Sequence, residues 1–267
     1  MASSHIENKA NKQQRIRKTE FSRAIDVNTV SISAPFHWLS LAIKDLINSP
    51  LISLSYGIVF SIIPVAICFL VVSTNNHLYI LPSIVAFSLI GPVFATGLYD
   101  VAWELEKGHT PTFKHSFMSM FRNPVGEWGF ALLLVIIMIA WMRIASLIHV
   151  FYPSNINPTV EELISFLAMG ISAGAIISVV VFSLSAFTPQ IMVERRVDIM
   201  TALTTSIKAV NANVIPMLIW SIIIIAMITF SVLTLGLGFI ITMPILALAS
   251  WHAYIAVIKT KRQRHYE

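Results

Sequence analysis

The chain has 267 residues, of which 56% are hydrophobic and only 12% charged, where a soluble domain carries about 25% charged residues. That balance excludes an ordinary water-soluble globule. It leaves a membrane-embedded chain, because apolar runs of 18 or more residues cross a hydrocarbon core of about 30 Å as helix. The net charge of +5 does not point to nucleic acid, since six of the 18 Lys and Arg precede Ser31 and four follow Ile258. A single cysteine, Cys68, sits in an apolar run, which excludes a disulfide framework and a thiolate metal cluster. It reads as a small buried hydrophobe.

Residues 1–33 are polar and lack the apolar core of a secretory signal, so they are expected to form a disordered cytoplasmic tail. Its bases Lys9, Lys12, Arg15, Arg17, Lys18 and Arg23 would each draw anionic lipid headgroups by about 1 kcal/mol near the surface. Next, Trp38, Leu39, Ala42, Ile43, Leu46 and Ile47 share one helical stripe, the pattern of a helix lying in the membrane interface.

Spans are predicted at residues 51–73 and 80–103; the second carries Pro82, Gly91, Pro92 and Gly97, which permit a kink. Between 107 and 123 the recurrence of Phe113, Phe117, Met120 and Phe121 predicts another interfacial helix. The third span, 128–152, contains Arg143. The fourth, 163–187, spaces Gly170, Gly174 and Ser178 four apart, a register that lets two helices approach closely. A polar stretch follows in which Ile199, Leu203, Ile207 and Val210 oppose Asp198, Thr201, Thr205 and Lys208, a third surface helix. Spans at 214–235 and 237–258 and a basic tail, 259–267, complete the chain.

All Lys and Arg except Arg143 fall in the tails, the interfacial segments and the second-to-third and fourth-to-fifth links. The positive-inside rule then places both termini in the cytoplasm, which requires an even number of spans. The predicted fold is an all-α bundle of six transmembrane helices, residues 34–258, with amphipathic helices on the cytoplasmic side. Three segments repeat a plan of amphipathic helix, Pro near its end, and outgoing span: residues 42–50, 115–124 and 206–216. The chain therefore reads as three helical hairpins in parallel repeat. Aligning Pro92 with Pro244 sets Tyr99 against Trp251 and Asp100 against His252.

Arg143 is the one base placed well inside the hydrocarbon. An intramembrane charge normally faces a bundle interior or a wet cavity; this one either holds an anionic substrate group, or snorkels or bonds backbone carbonyls as a structural clamp. Tyr99, Asp100, Glu104, Glu194, Arg195, Asp198, His252 and Tyr254 gather by depth at the inner ends of the spans. They either relay protons or hold a metal, or they lock the bundle by hydrogen bonds and ion pairs. Neither a His-Glu-x-x-His nor a paired-cysteine motif occurs, so no catalytic residue, metal or cofactor is assigned.

Several of these residues carry a likeness: Gly91-Pro92, Gly97-Leu98-Tyr99, Glu106-Lys107-Gly108, Trp141 with Arg143, Pro189, Glu194-Arg195 through Asp198, Ala202 and Ser206, and Pro244 with Trp251-His252-Ala253-Tyr254. The chain resembles a bacterial family of predicted integral membrane proteins, a domain of unknown function, and is more weakly similar to the membrane domains of glycerophosphodiester phosphodiesterases. The resemblance implies six spans and a bacterial inner-membrane address. It also shows departures: Ala247-Leu248 stand where members often have Gly-His, Ile255 where they have a base, and Ala102-Trp103 where they have Ser-Arg. The expected function is non-enzymatic, a small transporter or an organiser of membrane or complex. The alternative is an enzyme or a metal- or proton-handling protein built on the inner-face acids and His252. Expected partners are the bilayer, anionic lipids, and further copies or a larger complex; nucleic acid is not among them.

Overall fold

The computed structural model describes residues 25–75, 80–121, 123–153, 159–195 and 197–259. Ten helices occupy them, with one isolated antiparallel bridge between Val27 and Ile258. In order they are α1 (Ala34–Asn48), α2 (Pro50–Thr74), α3 (Ile80–Glu106), α4 (Phe113–Ser119), α5 (Pro124–His149), α6 (Val160–Ser185), α7 (Thr188–Arg195), α8 (Ile199–Ala212), α9 (Val214–Leu233) and α10 (Phe239–Val257). Five helical segments are long and apolar enough to cross a membrane: α2, α5, α6 running on through α7, α9 and α10. The 27 residues of α3 reach about 40 Å at about 1.5 Å per residue.

Proline organises the joints. Pro50 and Pro124 each open a long helix, where the missing N–H has no intrahelical partner to lose. Ahead of them stand Ser49 (φ −138°, ψ 58°) and Asn123 (φ −139°, ψ 64°), and Asn213 (φ −133°, ψ 42°) precedes α9. One backbone conformation thus turns a short helix into a long one three times. The short helices also dock alike: α4 packs on α3, α8 on α6, and α1 on α10. A small buried side chain marks two of these contacts, with Ser116 Oγ donating to the Gly97 carbonyl at 2.7 Å and Ser206 Oγ to the Ser183 carbonyl at 2.8 Å. Among the long helices α10 packs on α2 and α3 on α5, whereas α6 and α9 form no comparable contact among the described residues.

The core lies at the end that carries the short helices and the bases. Trp251 is enclosed there, its ring 6.1 Å from that of Tyr99, 5.7 Å from Trp103 and 5.3 Å from Tyr254, while Trp38 meets Trp220 edge-on at 5.9 Å. The central helix is α10: most of its residues are buried, while α6 has no buried residue. Towards the far end α2 and α10 touch backbone to backbone, for a Cβ on Gly57 would come within 2.7 Å of the Ile240 carbonyl carbon. Ser61 Oγ donates to the Gly236 carbonyl at 2.8 Å, and Gly236, at φ 92°, supplies the left-handed turn into α10.

Several expectations change. The stripe of α1 is split, since Trp38 and Ala42 are buried while Ile43 and Ile47 are exposed. In α4 and the turn after it Ser116, Ser119 and Met120 are buried, and Phe113, Phe117 and Phe121 form an exposed ring ladder. Thr205, assigned to the polar face of α8, is buried. Nothing lies within 4 Å of a Cβ on Gly170, and Gly174 meets only Trp141 at ordinary distance, so this register makes no close helix crossing here. Cys68 is exposed on α2; hydropathy finds a residue's depth in a span, not the side it faces. Residues 25–33 pack with the helical domain: the Asn28 and Lys259 amides donate to the Val257 and Asp26 carbonyls at 2.7 and 3.1 Å. Residues 1–24 and 260–267, which hold most of the basic tails, lie outside the described residues.

Candidate functional site, a polar belt at the basic end

Two carboxylates stand one turn apart on the last turns of α3, so they share a face. Asp100, 1% exposed, places Oδ2 2.7 Å from Nδ1 of His115 on α4. Glu104 Oε1 accepts from Lys107 Nζ at 2.8 Å, and Oε2 lies 3.0 Å from His109 Nδ1. The turn that returns His109 to Glu104 passes through Gly108 at φ 76°, a conformation glycine adopts freely. Lys107 also sits 4.1 Å over the Trp103 ring. Glu104 lies one residue beyond the predicted span 80–103. Burial pushes its carboxyl up, but the Lys107 and His109 hydrogen bonds outweigh this and hold it below the usual range.

Further round the belt, His252 Nε2 at the end of α10 lies 2.7 Å from Asp45 Oδ2 on α1. Tyr254 donates its hydroxyl to Glu194 on α7, and Gln190 Nε2 donates to the Tyr99 hydroxyl at 3.3 Å. Arg195 donates to the Lys259 carbonyl and holds Nε 3.9 Å from Glu194. Asp198 caps α8, accepting from the Thr201 amide at 3.0 Å and the Thr201 hydroxyl at 2.7 Å.

The predicted inner-end residues therefore do share one end of the bundle, but Asp100, Glu194 and His252 each bond a different partner: His115, Tyr254 and Asp45. Arg143 stands apart from the belt. Its side chain is exposed on α5 rather than turned into the bundle, and it makes no hydrogen bond or ion pair among the described residues.

Reading the sequence missed His109, His115, Asp45 and Gln190. It also gave no role to Glu127, which is 2% exposed in the first turn of α5 with Oε1 lacking a hydrogen bond among the described residues. The repeat alignment held a usable signal. It set Asp100 against His252 at the ends of two returning helices, so a complementary group was to be sought on the short helix docked at each. Those groups are His115 and Asp45. Among the described residues one set of His and carboxylate groups, Asp100, Glu104 and His115, brings ligand atoms within reach of a single metal ion.

Residues 80–194, from the start of α3 into α7, match the model of a family described as "Predicted integral membrane protein (DUF2189)". The chain is an integral membrane protein. The matched segment holds Asp100, Glu104, His115, Arg143 and Glu194, and it takes in the likeness residues from Gly91 to Glu194 but not Pro244 or Trp251-His252-Ala253-Tyr254. No curated protein and no solved structure matches the chain.

Proposed function

We propose that the protein is a non-catalytic component of a membrane assembly, and that its α5–α6 hairpin is the part that packs against other membrane helices, a second copy of the chain in the first instance. The observation that carries this is the exposure of the hairpin: α6 has no buried residue, and α5 presents Arg143 on its outside within an apolar stretch. A guanidinium facing hydrocarbon costs about 3 kcal/mol even on the lenient insertion scale. A neighbouring helix that offers it an acceptor removes that cost. The division of Asp100, Glu194 and His252 among three partners supports a structural belt over a shared reacting centre.

The same reading takes α3 as the sixth span and sets both termini in the cytoplasm of a bacterial cell, in line with the distribution of bases. It also takes the chain as three copies of a unit of short helix, outgoing helix and returning helix. The recurrent joint at Ser49, Asn123 and Asn213 supports the repeat, as does the docking of each short helix on a returning helix of another unit.

Cysteines at Ile171 and Ile176, in a Cys68→Ser background reconstituted into bilayers, test the assembly. Cross-linking between copies is expected, and Arg143→Leu should weaken it. A chain that stays monomeric and uncross-linked at high density in the bilayer would refute the reading.

A further inference from the structure

The pair formed by Asp100 and His115 has a third member. Glu104 lies one turn further along α3, and one oxygen from each carboxylate together with one imidazole nitrogen of His115 all lie within 4.8 Å of one another. Two ligands from successive turns of one helix and a third from a second helix make a common way to build a metal centre. Around a tetrahedral ion with bonds of about 2.0–2.2 Å, ligand atoms stand about 3.4 Å apart, so small side-chain rotations close the set. The surroundings favour this. Lys107 donates to Glu104 Oε1 at 2.8 Å and holds that side chain beside the cluster, as a partner outside the coordination sphere does. His109 Nδ1 already faces the other Glu104 oxygen. Asp100 forms the buried floor at 1% exposure, and His115, at 47%, forms the mouth, which leaves an approach from the water beyond the membrane surface.

We propose that Asp100, Glu104 and His115 bind a divalent transition metal of the zinc class. Mixed imidazole and carboxylate ligands suit zinc; calcium prefers oxygen alone and copper(I) prefers sulfur. Binding takes the place of a proton: the ion sits where His115 and Asp100 now share a hydrogen bond. The site is separate from the α5–α6 surface and stands whether or not that surface assembles.

The test uses the full chain without a histidine tag, purified in mild detergent, stripped with chelator and titrated with zinc chloride by calorimetry. Metal content after gel filtration is measured by mass spectrometry. One zinc per chain is expected, with affinity at least tenfold weaker in His115→Ala and in Glu104→Gln. The His115 side chain lies toward the surface and that of Glu104 is partly enclosed, and unchanged helical circular dichroism would confirm that the variants fold. Asp45→Asn, at the other acid–histidine pair, should bind as the unaltered chain does. Absence of stoichiometric zinc in the unaltered chain, or unchanged affinity in both folded variants, would overturn the site.

Discussion

His252 Nε2 lies 2.7 Å from Asp45 Oδ2, joining the end of the central helix α10 to α1 across 207 positions of sequence. Both side chains are largely enclosed, at 8% and 14% exposure. Truncating one partner leaves the other buried without its bond, a loss of about 1–3 kcal/mol. Asp45→Ala should therefore lower the thermal midpoint in detergent clearly, and Asp45→Asn, which keeps an acceptor, should lower it less. Equal losses in the two variants would assign the effect to charge instead of to the hydrogen bond.

A second expectation concerns glycine at two places on long helices. At Gly57 an added methyl meets the Ile240 backbone, which cannot swing aside as a flexible side chain would, while at Gly170 it meets open space. Overpacking costs about 1–3 kcal/mol, whereas relieving a helix of glycine gains about 0.5–1 kcal/mol. Gly57→Ala should lower the unfolding midpoint and Gly170→Ala should leave it level or raise it. Paired melting curves measure the difference, and a reversed order would contradict the close contact of α2 with α10.

Asn213 does more than occupy a joint. Its Oδ1 accepts from the Val30 amide at 2.8 Å, and its Nδ2 donates to the Asn28 and Ala209 carbonyls at 2.9 and 3.0 Å. One side chain thus fastens the segment ahead of α1 to the start of α9. Asn213→Ala should free residues 25–33, read as faster cleavage there in limited proteolysis, with the helical content by circular dichroism retained. Unchanged cleavage would show that Ile25 and the bridge to Ile258 hold the segment by themselves.

Much of this was legible beforehand for physical reasons. Hydropathy over some twenty residues is a strong signal, so the long helices stood out, and prolines at 50 and 124 marked where they begin. Burial was harder to read, because a span surrounded by lipid is apolar on every side. Nothing in the run around Arg143 says whether it turns inward, and nothing around Cys68 says that it turns out. The belt was half visible. Asp100 and His252 were found by depth, but their partners sit on short helices whose polar residues look like an ordinary wet face. In α4 the serines proved to be the packing side, since a small hydroxyl can return its hydrogen bond to a neighbouring helix backbone, as Ser116 does to Gly97.

The bridge between Val27 and Ile258 brings the first and last described segments side by side, with the Lys259 amide 3.1 Å from the Asp26 carbonyl. The order of the helices then matters more than where the chain starts. A circular permutant, opened beside Gly108 and closed by a short linker from residue 259 to residue 25, keeps the docking of the short helices, because each still meets the same returning helix. Such a chain should insert and melt much as the natural one does. A permutant opened inside α10 should not, because α1, α2 and α3 all pack on that helix.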